Sequence, residues 1–205
     1  MLVAIFAGLA WASRTGSAIP AWDGHLTDAF AVWRTPGWSR AFWAFTLLGN
    51  DSLIAPLAAA LVVLVAAWGN RARAAALAGG LVLSWVLTHV TKDVVGRVRP
   101  SVALALIEQP GSHSMPSGHA LTGAVFFGLL AYVAFRWIDS RRPAERTGAA
   151  AAMPREIVPA PTAAKLVVAL ASIALAAGIG LSRVYLGVHW MSDVLAGWCL
   201  GGAIL

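Results

Sequence analysis

Lys92, Arg99, Ser117, Gly118, His119, Arg183, His189 and Asp193 are the residues of this 205-residue chain whose types and spacing could do chemistry. They fall in three short stretches: KDVVGRVRP at Lys92–Pro100, PSGH at Pro116–His119 and RVYLGVHWMSD at Arg183–Asp193. Only 12% of the chain is charged, so this concentration of polar groups stands out. Arginine presents a planar fork that can grip two phosphate oxygens, and lysine adds a point charge. Pro and Ser favour a helix start, whose first-turn amides form a ready anion site, and Gly118 lets the backbone approach an anion closely. His189 and Asp193 are four residues apart, which places them on one face of a helix. The carboxylate can hold one ring nitrogen and leave the other free for nucleophilic attack. The chemistry is that of holding and attacking a phosphate. Arg97 lies nearby, but nothing local prefers it for this work.

Each stretch alone has a plainer explanation. The first could be a solvated basic loop, the second a helix cap with an interfacial histidine, the third a polar pair that steadies a helix. Burying the His189–Asp193 pair is costly without a use, and ionisable groups within apolar spans point to function. Two His and an Asp could also ligate zinc. Lys92, Arg99 and Arg183 would crowd a cation while suiting an anion, so no metal is expected.

The elements that must position these residues are membrane helices. The chain is 59% apolar, with a mean hydropathy of +0.74. Stretches free of Asp, Glu, Lys and Arg run Ser52–Asn70, Ala74–Thr91, Ser114–Phe135 and Leu166–Ser182. Each approaches the roughly 17–25 residues a helix needs to cross a bilayer core of about 30 Å. No strand-like alternation argues for a lipid-facing barrel. Abundant Gly and Ala suit close helix packing in lipid. The net charge of +6 comes without zinc-finger spacing or a long basic tract, which argues against nucleic acid. The lone Cys199 excludes an internal disulfide framework.

This composition predicts one integral-membrane domain over residues 1–205, all-α, as a six-helix bundle. The expected helices are Met1–Ser13, Asp51–Trp68, Ala74–Val90, Ser117–Trp137, Ala163–Leu181 and one from His189 onward. The first and last look short or truncated. Residues 15–40 are polar enough to leave the hydrocarbon, and Trp22, Trp33, Trp38 and Trp43 fit either an interfacial belt or an amphipathic packing face. Thr91–Ser114 is read as a loop carrying the first motif, and residues 139–162 as a flexible cytoplasmic loop. The loops after helices two and four, with their flanks, hold eight basic and three acidic residues, a net +5, against +1 on the opposite side. Basic loops stay inside, so the motifs should face the periplasm or exterior.

Taken together, Lys92, Arg99-Pro100, Pro116-Ser117-Gly118-His119, Ser182-Arg183, His189 and Asp193 closely resemble the three motifs of the type 2 phosphatidic acid phosphatase superfamily, which also includes vanadium haloperoxidases. All three motifs are intact, and the resemblance spans about Leu48–Trp198. It implies that His189 takes the phosphoryl group as phosphohistidine, Asp193 orients and polarises His189, and His119 is the general acid. Lys92, Arg99, Ser117, Gly118 and Arg183 would bind the phosphoryl oxygens, with no metal or cofactor.

A site at the outer ends of helices lets a lipid headgroup enter while its tails stay in the bilayer. The resemblance therefore implies a membrane hydrolase of lipid phosphates or diphosphates in the bacterial cytoplasmic membrane. Undecaprenyl diphosphate is the first expectation, and phosphatidic acid, phosphatidylglycerol phosphate and lipid A phosphates are the alternatives. A vanadate-dependent haloperoxidase would call for a soluble helical body. A lipid-binding or transporter-like protein would leave the full nucleophile, acid and anion cradle unused. A purely structural membrane subunit would leave the His189–Asp193 pair unexplained. The partners expected are the lipid substrate and the bilayer, with no nucleic acid.

Overall fold

The computed structural model describes residues 1–15, 19–141 and 161–205. Among them lie eight α-helices: α1 Leu2–Arg14, α2 Ile19–Val32, α3 Pro36–Leu48, α4 Asp51–Ala67, α5 Arg71–Val95, α6 Gly118–Ser140, α7 Pro161–Tyr185 and α8 Met191–Ile204. A single 3₁₀ turn, Val102–Leu104, interrupts the loop between α5 and α6. Most of the loop expected over 139–162 lies outside the described residues.

Local chemistry explains the boundaries. Thr35 caps α3 with Pro36 at its first position, and the Asn50 and Asn70 side chains accept from Ser52 N and Arg73 N at the starts of α4 and α5, each at 3.0 Å. Gly96, at φ 66°, ends α5 in the left-handed conformation that glycine adopts without penalty. Ser117 caps α6.

Helix α6 is the hub and packs against α7, α8, α5 and α4. Ile54, Leu61, Leu77, Phe126, Phe127 and Ile179 form the main core between α4, α5, α6 and α7. Small residues set the close approaches. A Cβ on Gly197 would fall 2.8 Å from Ser117 O, and one on Gly201 would fall 2.9 Å from Ala124 Cβ, so α8 lies directly on α6. Helix α1 runs antiparallel to α8: Leu2 lies at Gly202, and at the other end Ser13 Oγ meets Met115 Sδ at 3.6 Å. Val82, Trp85, Leu166 and Ile173 point outward from α5 and α7, as lipid-facing side chains do.

The expectation of six clean spans needs correction. Three helices are long and apolar enough to cross a membrane, Arg71–Val95, Gly118–Ser140 and Ala163–Tyr185, or four if α3 and α4, bent by 44°, count as one. At 1.5 Å per residue the 13 residues of α1 and the 14 of α8 reach only about 20 Å, short of a core of about 30 Å. The segment expected to leave the membrane forms α2 and the start of α3, and Trp22, Trp33, Trp38 and Trp43 are exposed there. Thus all described elements are helical, with short helices at both ends.

Candidate functional site

The three motifs meet at one end of the bundle. Helix α5 continues past the expected Val90 to Val95, so Lys92 is a buried residue of its last turn and not part of a loop. Its Nζ donates to His113 O at 2.8 Å and Ser112 Oγ at 3.3 Å, drawing that loop over the site. Arg99 lies beyond the helix. Its Nε donates to Ser112 O and its Nη1 to Val188 O, at 2.8 and 2.7 Å, so one guanidinium joins two motif-bearing loops.

Ser117 is fully buried, and its side chain accepts from Ala120 N at 3.5 Å. Its own amide donates to Asp193 O at 2.9 Å, tying the start of α6 to the first turn of α8. His119 follows in the first turn, within electrostatic reach of Arg183, His189, Lys92 and Arg99. A Cβ at Gly49 would lie 3.1 Å from the His119 ring, so the bend between α3 and α4 leaves room for it. Arg183 sits inside the last turn of α7, which runs to Tyr185. Its Nη1 donates to Thr46 Oγ1 at 2.5 Å, and its buried Nε has no hydrogen-bond partner among the described residues. A buried N–H donor without a partner is rare, and here it belongs to a cationic fork beside a nucleophile candidate.

The expectation that His189 and Asp193 share a helix face is corrected. Helix α8 begins at Met191, and His189 lies in the turn before its cap residue, Trp190. The two side chains still meet, because Asp193 in the first turn reaches backward. Its Oδ2 accepts from Trp190 N at 2.9 Å and faces His189 Nδ1 at 3.2 Å. The turn depends on Gly187, at φ 74°, where a Cβ would fall 2.1 Å from Leu104 O. The other ring nitrogen, Nε2, faces Arg99 Nη1 at 3.2 Å. Arginine only donates, so Nε2 carries a lone pair and the proton sits on Nδ1, toward the carboxylate. Burial, with Arg99, Arg183 and Lys92 beside it, holds this imidazole well below the ordinary histidine range.

Several participants were not read from the sequence. Arg97 is buried, and both of its terminal nitrogens are taken by carboxylates: Nη1 donates to Asp193 Oδ1 at 2.7 Å and Nη2 to Asp23 Oδ2 at 2.6 Å. Asp23, on α2, also accepts from Ser192 N at 2.9 Å and from Ser192 Oγ at 2.5 Å. Thr46 and Ser112 hold Arg183, Lys92 and Arg99 from outside the motifs. None of these has a local signature, since each partnership joins segments distant in the chain. Among the described residues no group of three or more His, Cys, Asp or Glu side chains is placed to hold a metal ion.

The chain is similar to known proteins in both sequence and fold. The family model described as PAP2 superfamily matches residues 73–205. A phosphatidylglycerophosphatase B of Bacillus subtilis (strain 168) is 28% identical over 190 residues, covering 90% of this chain and 80% of that protein. An undecaprenyl-diphosphatase of Sulfolobus acidocaldarius is 33% identical over 130 residues, 60% of this chain and 47% of that protein. The crystal structure of a transmembrane PAP2-type phosphatidylglycerolphosphate phosphatase from Bacillus subtilis superposes with a TM-score of 0.80 at 26% identity, covering 99% of this chain and 90% of that one. With a matching family model over more than half its length and a solved relative sharing its fold from end to end, the chain belongs to the PAP2 superfamily, in its membrane-bound lipid phosphatase branch.

Proposed function

We propose that this phosphatase hydrolyses a lipid phosphomonoester through a phosphohistidine at His189, with a phosphatidylglycerol phosphate as its first substrate. The observation that carries the mechanism is His189 itself, with Nδ1 on Asp193, Nε2 toward Arg99, and the other cations around it. Nε2 attacks phosphorus, the bond from phosphorus to the leaving oxygen breaks, and His119 gives that oxygen its proton. Water then attacks the phosphohistidine, the P–N bond breaks, and His119 takes the water's proton. Lys92, Arg99, Arg183 and the amides near Ser117 and Gly118 hold the equatorial oxygens, where phosphoryl transfer concentrates charge. Asp193, held between Arg97 and the ring, steadies the positive charge that develops on the imidazole. No metal or cofactor is required in this scheme.

A groove beside the site supports a lipid. It measures about 440 Å³ and runs between α4 and α5, lined by Ile54, Ala58, Leu81 and Trp85, with Ser84 and Thr122 in its wall. Thr122 lies one turn along α6 from His119, so an acyl chain in this groove would bring its headgroup toward the site. The choice among lipids rests on similarity. The sequence expectation put undecaprenyl diphosphate first, but the relative matched over the greater share of both chains is a phosphatidylglycerophosphatase, and so is the solved relative. The archaeal match keeps the diphosphate as a second reading.

We further take residues 1–205 as one domain, and the membrane as the bacterial cytoplasmic membrane with the site facing outward. The short α1, α4 and α8 would complete six crossings by local thinning of the bilayer. The deciding experiment is phosphate release by purified protein in detergent from phosphatidylglycerol phosphate, undecaprenyl diphosphate, phosphatidic acid and lipid A. A preference of about tenfold, worth about 1.4 kcal/mol in transition-state binding, assigns the substrate. Release from the diphosphate at ten times the rate of phosphatidylglycerol phosphate would reverse the order proposed.

A further inference from the structure

Asp23 lies outside all three motifs and outside residues 73–205 that match the family model, yet it is completely buried beside the reaction centre. Burying a carboxylate demands a partner, and Asp23 has three donors from two residues: Arg97 Nη2 at 2.6 Å, Ser192 N at 2.9 Å and Ser192 Oγ at 2.5 Å. Arg97 spends its other terminal nitrogen on Asp193 Oδ1 at 2.7 Å. Asp193 in turn turns Oδ2 to His189 Nδ1. The side chains form one unbroken line, Asp23–Arg97–Asp193–His189, that runs from α2 to the proposed nucleophile.

Charge explains why the line is four residues long. Arg97 paired with Asp193 alone would cancel the carboxylate that has to steady the phosphoimidazolium. With Asp23 on the far side, one guanidinium is divided between two carboxylates, and the group keeps a net negative charge directed at His189. The fork also helps fix the Asp193 rotamer, since Oδ1 is held by Arg97 while Oδ2 meets Trp190 N and the ring.

We infer that Asp23 and Arg97 are positioning residues of the phosphoryl transfer, acting on His189 through Asp193, so that α2 belongs to the reaction machinery. This rests on the reading of His189 as nucleophile. The other groups facing His189 are Lys92 of α5, Arg99 of the following loop, the Ser114 backbone, His119 of α6 and Arg183 of α7, and none changes in the variants that test it.

The test is Asp23→Asn in the full-length detergent-purified protein, which keeps the size and an acceptor but removes the charge. Expected are a kcat lower by about 10–100-fold, the loss typical when an outer partner of a functional side chain is removed, and a KM within about twofold. Phosphoenzyme should still be trapped after a denaturing alkaline quench, which spares the acid-labile P–N bond, but form more slowly. Removing a negative charge disfavours the imidazolium, so the acid limb of the rate profile should move to lower pH. Asp23→Glu should restore part of the rate, and Arg97→Lys, which keeps one charge but loses the fork, should behave like Asp23→Asn. Wild-type kcat and pH profile in Asp23→Asn, with only a lower thermal midpoint, would reduce the line to a structural tie and overturn the inference. Should Asp23→Asn not fold, wild-type kcat in Arg97→Lys would overturn it equally. Phosphoenzyme that persists in His189→Ala would instead strike the nucleophile reading.

Discussion

Nη1 of Arg99 lies 3.2 Å from Nε2 of His189, on the ring nitrogen opposite the one that faces Asp193. The arginine and the carboxylate thereby specify one tautomer, with a lone pair aimed where a phosphorus atom would be held. A pH dependence follows. In the proposed mechanism the neutral ring is the reactive form, and protonation at Nε2 removes the lone pair. Burial first, then Arg99, Arg183 and Lys92, push its protonation below the ordinary value of 6.5. The acid limb of kcat should therefore fall below that value. In Arg99→Gln one of the cations is gone, so the limb should move upward. Measured at saturating substrate, an unmoved or downward-shifted limb in Arg99→Gln would contradict this electrostatic account.

Substituting His189 by Ala should lower hydrolysis by at least about 10³-fold and remove the acid-labile phosphoenzyme, because a complete nucleophile is lost and only binding and charge stabilisation remain. Quench trapping with radiolabelled substrate reads this directly. Substantial turnover by the variant would mean that water attacks without a covalent step.

The proposed acid can be separated from the nucleophile by leaving group. His119→Ala should slow an alkyl phosphate by about 10²–10⁴-fold, the usual worth of general acid catalysis, and slow p-nitrophenyl phosphate far less. Equal losses on both would remove His119 from the role of proton donor.

The groove between α4 and α5 makes a prediction about chain length. Ala59 lines it, so Ala59→Phe should obstruct a lipid tail without touching the site. KM for a long-chain lipid phosphate should rise while p-nitrophenyl phosphate is hydrolysed as before. A parallel loss on both substrates would argue for general damage.

Sidedness is open to chemical labelling. In a Cys199→Ala background, Val102→Cys marks the loop over the site, where Val102 is exposed, and Arg71→Cys marks the opposite end of the bundle. A membrane-impermeant thiol reagent applied outside intact cells should label the first and spare the second. The reverse pattern would place the site on the cytoplasmic side.

How far the sequence could be read differs residue by residue. Lys92, Arg99, Ser117, His119, Arg183, His189 and Asp193 were legible because each belongs to a short motif, and the structure brings all of them to one end of the bundle. Their exact setting was less legible. Lys92 was expected in a loop because the uncharged stretch ends just before it, yet the helix continues: Val95 is buried there, and Lys92 finds partners in Ser112 and His113. Spacing alone put His189 and Asp193 on one helix, while Gly187 and the cap at Trp190 make a turn that yields the same contact by another route. Asp23 was illegible altogether. It sits 74 positions from Arg97 in a stretch whose tryptophans and polar residues resemble any interfacial segment, and only the packing of α2 against α8 reveals its place.

The amide of Ser117 donates to the carbonyl of Asp193, and Gly197 brings α8 onto the same turn of α6. The parts expected to grip the phosphate and the part expected to support the attacking ring are therefore registered by main chain, which substitution of neighbouring side chains leaves in place. Variation is free to accumulate in the covering loop and along the lipid-facing sides of the helices. A catalyst so arranged can change its clientele while keeping its chemistry, with the backbone serving as the fixed jig and the periphery as the interchangeable fitting.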